Sequence, residues 1–365
     1  MTLELQIALV AVAIALPLTF AVRFRTKPGR NAETAHIPRI GGFPIVTAFF
    51  LAPLVVAPFS PDARAFLDDD WPQFVALGVC GGAVFILGQR DDFRDLDFRV
   101  KFAVQFAAAI GLYAAGYRVG EMTLPGNGTV ALGWFDPFVT VLWIVFITNA
   151  MNLIDGHDGV AAGVSALVAG TVAYVAWDLD HNLIAMLFAA LAGACLGFVP
   201  LNLPRARRFL GDGGAYFLGF TIAGLSVAGS VDNTGRVPLY IPVVALGLPV
   251  LDTTVAFLRR WLNGTHPFRA DQDHFHDRAV RLGLKPIHVT LLAYAITAVF
   301  CGAAIGLHAW YKEAGSAVVG AAVLAFAVVL VVVLGYASTM WNSARVLTLR
   351  GRREQPQQTP TPIDS

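Results

Sequence analysis

"VTVLWIVFITNAMNLIDGHDGVAAGVSALVAGTVAYVAW", residues 139–177, is two apolar runs separated by a polar knot. The knot, "NAMNLIDGHDGVAAG" at 149–163, carries Asn149, Asn152, Asp155, His157 and Asp158, with Gly156 and Gly159 among them. A bilayer core needs about 20 mainly apolar residues per helix. Each flank comes close to that length, so the stretch reads as two membrane helices meeting at one membrane edge. If the knot is helical, Asn152, Asp155 and Asp158 share a side at i, i+3 spacing; with two glycines it can instead be a broken turn. Ionisable groups placed in a membrane segment point to function by default, because each Asp costs roughly 2.5–3.5 kcal/mol at the bilayer centre.

The same pattern fills the chain. Of its 365 residues 56% are hydrophobic and 14% charged, against about 25% charged in a soluble domain. That excludes an ordinary soluble enzyme, and a net charge of +1 offers nothing to nucleic acid. Lipid demands internally satisfied backbones, and the alternation of a barrel is absent, so the expectation is an all-α polytopic transmembrane helix bundle. About eleven spans are expected, near 5–22, 42–59, 73–90, 99–116, 135–151, 159–177, 182–200, 214–230, 238–258, 288–307 and 315–338. Residues 1–340 form one membrane domain, and the Pro-rich polar tail 341–365 is expected to be disordered and cytoplasmic. Cys80, Cys195 and Cys301 fall inside spans and read as small buried hydrophobes.

Charge sets the sidedness. Of 26 Lys and Arg, 22 lie in or beside the loops that follow odd-numbered spans; only Arg64, Arg118, Arg236 and Lys312 lie on the other side. The positive-inside rule makes the first set cytoplasmic and the N-terminus periplasmic, on an uncleaved first helix. Every polar cluster with chemical character then falls on the cytoplasmic face.

Those clusters are five. "GQRDDFRDLDFRVKFAVQ", 88–105, holds Asp91, Asp92 and Asp95, followed by Lys101 and Gln105. If helical, Asp91 and Asp95 share a face. Clustered carboxylates repel unless a cation intervenes, and oxygen donors suit a hard ion that shares its shell with phosphates. The polar knot is the second. "PLNLPRARRFLGDGGAYFLGF", 200–220, sets Asp212 between Gly211 and Gly213 at a helix start, where the Asp can cap or bind metal and the glycines let backbone approach a phosphate; Arg205, Arg207 and Arg208 suit anionic headgroups or simple positive-inside placement. "GTHPFRADQDHFHDRAVRLG", 264–283, brings His266, His274 and His276 together with Arg269 and Arg278. These side chains suit phosphate and sugar hydroxyls; ligand spacing for zinc is lacking. "HIPRIGG", 36–42, offers His36 and Arg39.

In this order, "PRIGG", "GQRDDFRDLDFRVKFAVQ", "NAMNLIDGHDGVAAG", "FLGDGGAYFLG" and "PFRADQDHFHDR" resemble the motifs of the polyprenyl-phosphate N-acetylhexosamine-1-phosphate transferases, glycosyltransferase family 4. The last motif resembles the GlcNAc-1-phosphate branch. Two positions depart: Asp277 stands where a third His is common, and Ala215 where Ser is usual.

The resemblance implies transfer of a sugar-1-phosphate, GlcNAc-1-phosphate first, from a UDP-sugar to undecaprenyl phosphate. UMP is released, and the lipid-linked sugar initiates envelope polysaccharide synthesis at the bacterial inner membrane. It implies Mg2+, with Mn2+ as an alternative, held by Asp212 and Asp91. Asp92 orients or deprotonates the lipid phosphate. Asp155 and Asp158, with Asn152 and Asn202, shape the nucleotide and metal pocket. Lys101, His274, His276 and Arg278 hold phosphates or sugar. Direct attack by the lipid phosphate is expected over a covalent Asp intermediate, and a homodimer is left open. Two rivals fit parts of the pattern. "DDFRD" matches the DDxxD of Mg-dependent intramembrane prenyltransferases, and scattered acids suit an ion-coupled transporter, which would place them near the membrane midplane.

Overall fold

The computed structural model describes residues 2–21, 39, 41–124, 128–203, 206–228, 237–264 and 274–314. His36, Arg205, His266, Arg269, the expected span 315–338 and the tail lie outside them.

The fold is a helix bundle. Its elements are α1 (Leu3–Ala21), α2 (Gly42–Val56), α3 (Pro61–Asp69), α4 (Trp71–Phe93), α5 (Phe98–Ala114), a hairpin of β1 (Glu121–Leu124) and β2 (Gly128–Ala131), α6 (Asp136–Ile154), α7 (Val160–Asp178), α8 (Asn182–Asn202), α9 (Gly211–Ala228), α10 (Tyr240–Ala245), α11 (Gly247–Leu262), α12 (Phe275–Arg281) and α13 (Pro286–Ala314). Seven helical segments among the described residues are long and apolar enough to cross a membrane: α1, α2 with its short 3-10 extension, α4, α6 with its 3-10 lead-in, α7, α8 and the first 25 residues of α13. The chain is a multi-pass membrane protein.

Expected spans 4 and 8 are present as α5 and α9, which fall short of that measure. Span 9 is not continuous. The helix breaks at Leu246 into α10 and α11, because Pro249 has no N–H to give and its ring collides with the carbonyl four residues earlier.

The apolar windows of α7 and α8 are each 78% buried, against 22% for α1, so α7 and α8 form the centre and α1 the rim. Lipid gives helices no hydrophobic reason to associate, so close approach and packing must do it. Gly193 and Gly197 on α8 supply this toward α1: a Cβ on Gly193 would stand 2.2 Å from the Ala8 carbonyl oxygen, and one on Gly197 2.7 Å from the Ala15 Cβ.

At one end of the bundle lie the hairpin and two acids with structural work. Asp136 Oδ1 accepts from the Gly120 N–H (2.8 Å) and the Thr140 hydroxyl (3.1 Å), while Oδ2 accepts from the Tyr113 hydroxyl (3.1 Å). His308 Nε2 meets Asp178 Oδ2 at 2.6 Å, tying α13 to α7. At the opposite end the loops after α4, α6 and α8 converge, as the distribution of basic residues groups them.

Candidate active site

The site is built from helix ends. Asp91 and Asp92 close α4, Lys101 opens α5, Asn152 and Asp155 end α6, Asn202 ends α8 and Asp212 opens α9.

Two distant motifs are zipped together first. Arg39 pairs with Phe209 in an isolated parallel bridge, and the Gly41 and Gly42 N–H groups donate to the carbonyls of Phe209 (2.8 Å) and Leu210 (3.0 Å). This fixes the loop leading into α9. Gly211 there has φ +76°, and a Cβ on it would lie 2.5 Å from Asp92 Oδ2. A Cβ on Gly88 would lie 2.4 Å from the Gly213 nitrogen, so the backbones of α4 and α9 touch at this level.

The contact puts Asp92 at the start of α9. Its Oδ2 accepts from the Gly213 N–H at 3.4 Å, and the Asp212 N–H also reaches it. A helix N-terminus presents free N–H groups that favour an anion; here the protein's own Asp92 takes that place. Arg39 Nη1 stands 3.8 Å from Asp92 Oδ1, which has no hydrogen-bond partner among the described residues. Asp91 pairs with Lys101 and accepts from the Leu96 N–H at 2.8 Å, and its carboxyl reaches that of Asp212. Asp95 does not share the Asp91 face, because α4 ends at Phe93 and Arg94 is extended.

The polar knot is a broken turn. Helix α6 stops at Ile154, and α7 starts after Gly159, at φ +78°. Several of its groups bind other parts of the chain. Asp158 Oδ2 accepts from the Ala206 N–H (3.0 Å), and the Asp158 carbonyl accepts from the Thr290 hydroxyl (2.9 Å). The Gly159 N–H donates to Asn202 Oδ1 (2.7 Å), whose Nδ2 donates to the Arg208 carbonyl (2.7 Å). Asn202 is 3% exposed, so in this structure it is a buckle between two loops. Asp155 lies within electrostatic reach of the cluster: burial first, then the charges of Asp212, Asp92 and Asp158, push its carboxyl well above the usual range. Asn152 Oδ1 is buried without a partner among the described residues.

The histidines reach the site through α12. His276 sits against the knot, its ring 4.9 Å from that of His157, with Nε2 2.3 Å from where a Cβ on Gly156 would be. Burial lowers its pKa, with His157 and His274 adding to the effect. His274 lies nearly parallel to His276 at 5.9 Å. Asp277, at the departing position, caps α12 by accepting from the His274 N–H at 3.1 Å. Arg278 follows on the same helix.

Sequence reading passed over Asp252 on α11, which holds His274. The signal was there, a lone acid in the apolar run "GLPVLDTTVAF". It also left unassigned the pair formed by Gln105 and Asn149, in which Asn149 Nδ2 donates to Gln105 Oε1 at 2.7 Å, linking α5 to α6.

The donor set suits a hard divalent cation. Oxygen ligands predominate, their carboxylates raise one another's proton affinity, and one buried oxygen of Asp92 has no hydrogen bond among the described residues. Among the described residues no three His, Cys, Asp or Glu side chains form a metal cage by themselves.

The family model described as Glycosyl transferase family 4 matches residues 74–230. A Bacillus subtilis (strain 168) protein, described as a probable undecaprenyl-phosphate N-acetylglucosaminyl 1-phosphate transferase, is 34% identical over 279 residues, covering 76% of this chain and 75% of that protein. The decaprenyl-phosphate N-acetylglucosaminephosphotransferase of Mycolicibacterium smegmatis (strain ATCC 700084 / mc(2)155) is 31% identical over 299 residues, 75% of this chain and 73% of its own. The undecaprenyl-phosphate alpha-N-acetylglucosaminyl 1-phosphate transferase of Escherichia coli (strain K12) is 24% identical over 290 residues, 78% and 76% of the two chains.

Proposed function

The chain belongs to glycosyl transferase family 4, and on that premise we propose that it transfers GlcNAc-1-phosphate from UDP-GlcNAc to a polyprenyl phosphate, releasing UMP. The observation that carries this reading is the meeting of Asp91, Asp92 and Asp212 with Lys101 and Arg39 where the ends of α4, α5 and α9 come together. A phosphoryl transfer between two anions needs such a place, with acids to hold a cation and bases to hold phosphate oxygens. The site end faces the cytoplasm, where nucleotide sugars are made, which agrees with the distribution of basic residues.

Asp212 and Asp91 would hold Mg2+, with Asp155 nearest as a further carboxylate. When bound, the metal offsets diphosphate charge and eases the departure of UMP. Lys101, pulled toward the cluster by Asp91, holds a phosphate oxygen of the donor. Asp92 is committed on one oxygen to the start of α9 and on the other to Arg39, so it holds that guanidinium where it can orient the lipid phosphate. That phosphate is already largely ionised near neutral pH and attacks the donor β-phosphorus directly. As the new P–O bond forms, the bond to the UMP oxygen breaks, and its electron pair leaves with UMP. His274, His276 and Arg278 flank the sugar-phosphate, and Asn152 with its unpaired Oδ1 faces the nucleotide.

The prenyltransferase reading fails on family membership. The transporter reading fails on placement, because these acids gather at one end of the bundle. Purified protein with Mg2+, undecaprenyl phosphate and UDP-GlcNAc should release UMP, and EDTA should stop it. Asp212→Asn should lose at least 100-fold in rate. No UMP from any UDP-sugar with folded protein would overturn the function, and an active Asp212→Asn would overturn the metal assignment.

A further inference from the structure

Asp252 is the sixth residue of α11, in a helix otherwise uncharged up to its basic last turn, and its side chain is 11% exposed. A buried carboxylate must find partners for its oxygens. Both oxygens have one. Oδ1 accepts from the Phe275 N–H at 2.8 Å, the first residue of α12, and Oδ2 meets His274 Nδ1 at 2.9 Å. An ionised carboxylate only accepts, so the proton of that second bond sits on Nδ1. The opposite ring nitrogen, Nε2, is thereby left to whatever lies on the side away from α11.

The rest of α12 explains why this matters. The helix spans seven residues, too few to hold a position unaided. It is pinned to α11 by Asp252 and laid against the polar knot by His276. Asp252 therefore links α11 to a pair of neighbouring histidines, of which His276 lies against the polar knot.

We infer that Asp252 is a positioning residue for His274: it fixes α12 in place and holds the ring as the Nδ1–H form, so that Nε2 faces the sugar-phosphate of the donor. In that form a neutral ring offers Nε2 as an acceptor for a sugar hydroxyl, and a protonated ring offers it as a donor to phosphate. Asp252→Asn reverses this. The Asn oxygen keeps the bond from Phe275 N–H, while its NH2 donates to Nδ1 and forces the proton of a neutral ring onto Nε2. The inference rests on the function proposed above.

A double-mutant cycle on the full-length protein in nanodiscs tests it, with UMP release measured from UDP-GlcNAc, undecaprenyl phosphate and Mg2+. Asp252→Asn should lower kcat/KM at least tenfold, with thermal stability changed by a few degrees at most. In a His274→Ala background the same change should cost under twofold, because residues acting through one another are not additive. Equal costs in both backgrounds, or Asp252→Asn with wild-type kcat/KM, would overturn the inference. Nitrogen NMR of histidine-labelled wild type gives a readout independent of activity and of how the variant folds. His274 should show a protonated Nδ1; a bare Nδ1 with protonated Nε2 would overturn the inference. Wild type that releases no UMP from any UDP-sugar would instead sink the proposed function, leaving the NMR result to stand by itself.

Discussion

Replacing Asn202 by Ala separates a structural reading of that side chain from a substrate-binding one. Its amide closes two bonds, the Gly159 N–H to Oδ1 and Nδ2 to the Arg208 carbonyl, both 2.7 Å. The residue is 3% exposed, so water does not reach the groups left behind. An unpaired buried backbone group costs roughly 1–3 kcal/mol. Two such groups, partly relieved by local relaxation, give about 3 kcal/mol. At roughly 2 °C per kcal/mol for a chain of this size, the melting midpoint should fall by about 6 °C. The assay is thermal unfolding in one detergent for both proteins, followed by donor affinity at a temperature where both are folded. Activity should fall through loosening of the polar knot, with kcat affected more than KM. A variant that melts like wild type and loses only donor affinity would refute the buckle and restore Asn202 as a direct substrate ligand.

Three further outcomes are expected. Gly211→Ala forces an L side chain into φ +76°, which costs about 1–2 kcal/mol, and drives a Cβ to 2.5 Å from Asp92 Oδ2; transfer should fall more than tenfold, and wild-type UMP release would contradict the packing described. Lys101→Met leaves Asp91 without its basic partner, so kcat/KM should drop at least tenfold while Lys101→Arg recovers part of it; equal loss in both would argue against a charge role. His276, held neutral by burial, binds its proton less readily folded than unfolded. Its contribution is therefore fully present above an unfolded pKa of about 6.5 and is lost as pH falls below that. Melting midpoints from pH 8 to 5 should fall more for wild type than for His276→Gln, and parallel curves would contradict the burial argument.

Much of the fold was legible because lipid imposes simple rules. Apolar length marked α1, α2, α4, α6, α7, α8 and α13, and the distribution of Lys and Arg grouped the loops that meet at one end. The break at Leu246 was less visible, since hydropathy runs straight across it and only Pro249 betrays it. The proximity of Asp91, Asp92 and Asp212 could be expected from motif order, but the means could not. Arg39 pairing with Phe209, and Asp92 seated on the first turn of α9, join segments more than 100 residues apart, and no local pattern records such a bond. Asp158 and Asn202 show the same limit from the other side. Their residue types suit a nucleotide pocket equally well as a loop clasp, and only their partners distinguish the two. Asp252 was the avoidable omission, because an acid alone in an apolar helix calls for a partner.

The most direct test follows the β-phosphorus of the donor. UDP-GlcNAc labelled there is incubated with purified protein, Mg2+ and undecaprenyl phosphate, and the organic and aqueous phases are separated. Transfer of sugar-1-phosphate predicts that the label moves into the lipid phase and that the nucleotide product is unlabelled UMP. Label retained in water as UDP, with sugar on the lipid, would mean that the sugar moves without its phosphate and would contradict the account.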